Sequence, residues 1–171
     1  MAHWPWIERR FRFDYPSTKF PDLLERLRGT PARVEDRLCG LPPGLLTRSD
    51  GSGWTIQENV GHLIDLGYLP AARIEQILRG EPTLIAADMT NRKTNEAAHN
   101  DSHISDLLAA FREERGGLVA RLEELGPDDW DKSAMHPRIG QAMRIVDIVY
   151  FDSEHDDYHL ARIGELVRNL R

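Results

Sequence analysis

The chain has 171 residues, which is the size of one domain able to bury a real core, and residues 1–171 are expected to form a single domain. Its 40% hydrophobic and 29% charged content is ordinary for a soluble globular protein, and a net charge of −6 without a basic cluster gives no electrostatic footprint for nucleic acid or an anionic membrane. The one cysteine, Cys39, cannot form an internal disulfide, and the start "MAHWPWIERR" lacks the apolar run of a secretory signal, so the expectation is a cytoplasmic protein with no membrane span.

The first sixteen residues are rich in aromatics (Trp4, Trp6, Phe11, Phe13, Tyr15) and carry two prolines. They are expected to be irregular, with His3 in a loose terminus, and to cover part of this chain's core or a partner's. Helix 1 is expected at roughly 20–40. Leu23, Leu24, Leu27, Val34 and Leu38 recur at helical spacing, and Pro21 suits a first turn. The run Gly29-Thr30-Pro31 breaks or kinks it. Cys39, near its end, reads as a small buried residue rather than a nucleophile, because the sequence names no base beside it. After a loop, "TIQE" is a strong helix start: Thr55 caps and Glu58 closes the box. Helix 2 is expected at 55–79, stopped by Gly80.

Residues 81–101 are polar and Asn-rich, a long connection of the kind that often carries function. Helix 3 follows at about 102–125, with a stripe of Leu107, Leu108, Phe111, Leu118, Leu122 and Leu125 that resumes past Gly116–Gly117. "GPDDW" ends it in a short turn packed by Trp130. The stretch "DKSAMHPRIGQAM" is expected to be loop, running into a fourth helix from about Gln141 to Leu170. Only a helix puts positions 145, 148, 151/152, 155, 159, 163 and 166 on one face, and nothing elsewhere alternates like a sheet. Four long helices with unequal connections predict an all-α fold, a four-helix bundle with its long connection between helices 2 and 3.

The chemistry concentrates in "SEHDDYHLAR". His155 and His159 are four residues apart, so their rings are neighbours on one helix face and both can reach one metal ion. Such a pair is most often a polar surface pair, and it needs a third ligand from another helix. His62 is the best candidate, on a mixed face of helix 2 with Glu58, Asn59, Leu66 and Leu69. Two histidines on one helix and one on a facing helix leave coordination positions for water or substrate, the catalytic pattern. Three neutral imidazoles suit zinc, nickel or iron better than magnesium or calcium. His99 and His103 share the spacing, but the Asn-Asp-Ser between them is turn chemistry; they read as loop or helix-entry residues at a site mouth. His136 precedes Pro137 and is biased to extended backbone. Of the acids, Asp156 or one on helix 2 is the candidate to orient an imidazole. Tyr158 reads as a packing residue. Asn91, Arg92, Asn95 and Arg73 are candidate substrate contacts by polarity and nearness to the long connection, with a surface position as the plainer expectation.

The pattern W-T-I-x-E-x-x-x-H-L-x-D on helix 2, with H-D-x-Y-H-L-x-R-I about ninety residues later on helix 4, resembles the DinB/YfiT-like superfamily. That resemblance covers the whole chain in order. It implies a bundle with one divalent metal ion held by three histidines, by position His62, His155 and His159. It also implies a homodimer and a small-molecule substrate: characterised members include thiol transferases using bacillithiol, mycothiol or glutathione, a mycothiol-dependent isomerase, and many proteins described as metal-dependent hydrolases. The expected function is therefore a metal-dependent enzyme activating a thiol, in the manner of an S-transferase, or water. The rival from another class is a non-catalytic helical binding or stress protein. No motif in the chain fixes the thiol or the electrophile.

Overall fold

The computed structural model describes residues 4–170; His3 lies outside them. The bundle has four limbs. The first is α1 (Phe20–Arg28) and α2 (Thr30–Leu38), and the second is α4 (Ile56–Leu66) and α5 (Tyr68–Leu78), with the short α3 (Pro43–Leu46) between them. The third limb is α7 (Ile104–Glu123) and the fourth α9 (Ile145–Leu170). Short helices α6 (Arg92–Glu96) and α8 (Pro127–Trp130) lie in the connections. No helix among the described residues is long and apolar enough to cross a membrane.

Local chemistry sets most boundaries. The predicted capping box at Thr55 forms: its hydroxyl accepts from the Glu58 amide at 3.1 Å, and Glu58 Oε2 accepts from the Thr55 amide at 2.8 Å. Gly80, with φ +73°, turns the chain after α5. The first limb breaks at Gly29, as its Thr-Pro sequel requires. Trp130 stacks on Phe20 at 4.7 Å and fastens α8 to the bundle.

Four expectations are corrected. The second limb is two helices rather than one, because Pro70 has no amide to donate back to Leu66 and the chain breaks at Gly67. Residues 133–144 are a hairpin rather than loop and helix start: β1 (Ser133–His136) pairs antiparallel with β2 (Gln141–Arg144), Ser133 opposite Arg144. Its alternation is only four residues long, burying Ala134, His136 and Met143, and α9 therefore begins at Ile145. Asp147 fixes that start by accepting from the Arg144 amide at 2.8 Å. The hairpin is bolted to the long connection through Leu84 N–H to Met135 O and Met135 N–H to Pro82 O, both 2.9 Å. Finally, Cys39 is exposed at the end of α2 rather than buried.

The core forms two apolar clusters. One holds Phe20, Leu27, Ile74, Leu122, Met143 and Ile145; the other holds Val34, Ile56, Val60, Phe111, Ile163 and Leu166. Between them runs a polar belt. On α7, Arg115 falls between Phe111 and Leu118; on α9, residues 152–159 fall between Val149 and Ile163. Arg115 is almost wholly buried and pairs with Asp152 and, at 2.7 Å, with Asp156. Burial alone would make such a charge very costly, and the two carboxylates offset it. His155 and His159 sit in this belt.

Candidate metal centre

His62, His155 and His159 come together across the bundle. Their ring centroids are 5.4 Å (His62–His155), 4.8 Å (His62–His159) and 4.6 Å (His155–His159) apart. One ring nitrogen from each lies within 4.8 Å of the others, and His155 Nε2 is 3.2 Å from His159 Nε2. His62 and His159 are each 3% exposed. The pairing follows from helix geometry: four residues on α9 bring two rings side by side, and the contact of α4 with α9 supplies the third.

The opposite ring nitrogens are held in place. His159 Nδ1 is 2.8 Å from Asn59 Oδ1. The Asn59 amide nitrogen donates to Trp54 O at 3.2 Å and Thr55 O at 2.7 Å, so its oxygen must face the imidazole. His159 Nδ1–H therefore donates, and the Nε2 lone pair is presented toward His155. His62 Nδ1 lies 3.0 Å from Thr94 Oγ1, on α6 of the long connection. Trp54 packs on His62 at 4.4 Å and Trp6 meets His155 edge-on at 5.0 Å. Burial holds His62 down to about 3, with the His155 ring adding to the effect. His155 is likewise held at about 3, by burial and then by the charges of Arg115, Arg138 and Arg9. His62 and His155 are thus suited to stay neutral. A set of three nitrogens fits a borderline divalent ion and does not fit the all-oxygen preference of magnesium or calcium.

Asp156 does not orient a ring, because Arg115 claims it. Nor does the helix 2 acid: Asp65 accepts from His99 Nε2 at 2.8 Å. The orienting residues are instead Asn59 and Thr94. Asn59 was legible as a member of the His62 face, whereas Thr94 had no local signal. His99 is buried against Asp65 and is not at a site mouth, while His103 stands at the entry to α7. Tyr158 packs edge-on to His159 at 5.0 Å and beside Trp6 at 5.8 Å, with Arg9 over its ring. Of the N-terminal aromatics, Trp6, Phe11, Phe13 and Tyr15 pack on this chain's own helices, with Phe11 meeting Phe151 at 4.8 Å, while Trp4 is exposed.

The histidines open onto a cavity of about 530 Å³, within the usual range for a small-molecule site. Trp6, Trp54, Leu66, Leu69, Ile148 and Phe151 supply apolar wall, and Arg73, His136 and Arg138 supply polar wall. Of the candidate substrate contacts, Arg73 and Asn91 border the cavity. Arg92 and Asn95 are exposed, Asn95 accepting from Trp54 Nε1 at 3.0 Å.

Several solved structures share this architecture. YfiT from Bacillus subtilis, described as a probable metal-dependent hydrolase with an unusual four-helix bundle topology, matches at TM-score 0.80 and 22% identity, over 95% of this chain and 94% of that one. The mycothiol-dependent maleylpyruvate isomerase matches at TM-score 0.69 and 16% identity, over 88% of this chain but 62% of its own length. The colibactin self-resistance protein ClbS, solved in complex with double-stranded DNA, matches at TM-score 0.66 and 16% identity, over 87% of this chain and 95% of that one. At such identities the likeness is one of fold. No curated protein sequence matches this chain. The sequence profile of the DinB superfamily matches residues 24–163, spanning all four limbs of the bundle, and the chain belongs to that superfamily.

Proposed function

We propose that the protein is a metal-dependent enzyme acting on a small molecule, with His62, His155 and His159 holding one divalent ion, zinc or nickel first and iron next. The observation that carries this reading is the convergence of three imidazole nitrogens within 4.8 Å at the wall of a 530 Å³ cavity. When bound, such an ion supplies Lewis acidity that makes a thiol or a water molecule nucleophilic at neutral pH. Asn59 and Thr94 hold two of the rings in place, Asn59 with the His159 Nε2 lone pair inward. Trp6 and Trp54 shield the rings from bulk water.

Between nucleophiles, we favour a low-molecular-weight thiol, in the manner of an S-transferase. Support comes from the mycothiol dependence of one fold neighbour and from a cavity larger than water requires. Hydrolysis on the same site is the second reading, favoured by the description of YfiT. Metal-loaded protein given an aryl halide or an aryl ester, with and without glutathione or 2-mercaptoethanol, separates the two. Thiol-dependent loss of the halide supports transfer; ester cleavage indifferent to thiol supports hydrolysis; neither, in metal-replete protein, returns the chain to a binding or stress role.

We read residues 1–171 as one domain, functioning as a cytoplasmic homodimer, on the strength of the superfamily resemblance and the single cysteine. Nucleic acid is a disfavoured partner on the net charge of −6, although the DNA complex of ClbS weighs on the other side.

A further inference from the structure

The cavity beside the histidines carries a second set of polar groups that no part of that chemistry uses. Arg73, on α5, is only 4% exposed. Its Nε and Nη2 donate to Ile85 O at 3.2 and 3.1 Å, and among the described residues its Nη1 makes no hydrogen bond. Arg138, on the hairpin turn, borders the same cavity and lies over the Phe151 ring at 6.0 Å. Among the described residues no carboxylate forms an ion pair with either guanidinium. Buried Arg73 differs here from the other buried and half-buried arginines: Arg26, Arg115, Arg144 and Arg162 each engage at least one carboxylate closely. Burial pulls Arg73 down to about 10; the Asp152 charge opposes that shift and the Arg138 charge adds to it. The two cations therefore sit near one another with no directly paired carboxylate, only the more distant Asp152 charge, and for the buried Arg73 that is a cost an anion in the cavity would offset.

His136 adds a third donor. Its Nδ1 accepts from the Arg138 amide at 3.2 Å and the Ile139 amide at 3.3 Å, which puts the ring proton on Nε2. That Nε2–H is buried with no acceptor. The acids on the cavity wall do not fill the gap. Asp152 is committed to Arg115, and Asp88 accepts from the Thr90 hydroxyl and the Thr90 and Arg92 amides of its own loop.

We propose that Arg73 and Arg138, backed by the His136 ring, form an anion subsite that holds a carboxylate or phosphate of the substrate, while the three-histidine end of the cavity faces its reacting atom. The apolar wall of Leu66, Leu69, Ile148 and Phe151 takes the organic body. The substrate class is then a small organic acid or phosphate monoester with an apolar body, rather than a neutral or cationic molecule. This deepens the metal-enzyme reading and rests on it for the identity of the reacting end.

Hexanoate, 1-hexanol and hexyl phosphate are probes of one chain length that differ in head group. They would be titrated calorimetrically into metal-loaded and metal-free protein, with metal content and circular dichroism read alongside. At about 1.4 kcal/mol per factor of ten, one well-placed charge pair is expected to favour hexanoate over hexanol at least tenfold in both metal states. In Arg138→Gln and in Arg73→Gln the preference is expected to fall to about threefold or less, with metal content unchanged. Should the buried Arg73 variant fail to fold, the exposed Arg138 carries the test. Whichever anion binds tighter, hexanoate or hexyl phosphate, tells which head group the subsite serves. Equal binding of hexanoate and hexanol by wild type would overturn the proposal. So would a preference that survives both substitutions and disappears with the metal, since the anion would then be sitting on the ion. A protein that takes up no metal defeats the metal reading and leaves the metal-free arm of this test standing.

Discussion

Asn59 is the residue whose loss should separate site geometry from bulk stability. Its side chain makes three hydrogen bonds: it accepts from His159 Nδ1–H at 2.8 Å and donates to Trp54 O and Thr55 O. In Asn59→Ala the two carbonyls are not both orphaned, because Thr55 O still receives the residue 59 amide at 3.0 Å within α4. The main penalty falls on His159, whose imidazole loses the acceptor that fixes its tautomer. An unsatisfied buried donor costs about 1–3 kcal/mol, which sets the expected loss in metal-free stability. Removing the outer partner of a ligating histidine costs about 10–100-fold in metal affinity, and that is the expected loss in a competition against a chromophoric chelator. Asn59→Asp keeps an acceptor in the same place and should recover most of the affinity. Affinity within twofold of wild type in Asn59→Ala, with the fold intact, would refute the assignment of His159 Nε2 as a metal ligand.

Two further substitutions probe the surroundings. A Cβ at Gly61 would overlap the His99 ring, so Gly61→Ala should push His99 off Asp65 and destabilise by about 2–4 kcal/mol in urea unfolding, from overpacking and a broken charge-assisted bond. In a His99→Ala background the cost should largely vanish; a cost that persists there places the clash elsewhere. Glu114 is the other case. Burial, opposed by Arg115, raises its carboxyl to about 7, and its Oε2 has no partner. Because the folded value lies above the unfolded one, the native state holds the extra proton. The stability it confers is complete below about pH 4.5 and lost as pH rises through 7. Glu114→Gln, always neutral, should therefore be more stable than wild type by about 1–3 kcal/mol at pH 8.5, allowing for partial exposure, and about equal at pH 4.5. An equal difference at both pH values would show that the carboxyl is not held protonated.

Much of this arrangement was legible because it is helical and local. The Thr55–Glu58 box, the stop at Gly80, the break at Gly29 and the shared face of His155 and His159 each depend on residues within one or two turns. The break at Gly67 was legible too, through Pro70, but the apolar stripe running across it masked the signal. The hairpin escaped because its alternation lasts four residues per strand and its pairing with Pro82 and Leu84 joins segments some fifty residues apart. Long-range pairing also hid the partners of the histidines. Thr94 reaches His62 only because the long connection folds back over α4, and His99 left the expected mouth for Asp65 on the same account. Asp156, adjacent to His155 in sequence, turns toward α7 and Arg115 by the 100° step of the helix.

The most direct test of the central reading is the metal content of the purified protein beside His155→Ala/His159→Ala. About one equivalent of zinc, nickel or iron is expected in the wild type and little in the variant, with both proteins equally helical, as three converging imidazole nitrogens on two helices require. Wild-type protein that takes up neither zinc nor nickel on reconstitution, or a double variant that binds metal as well as wild type, would contradict it.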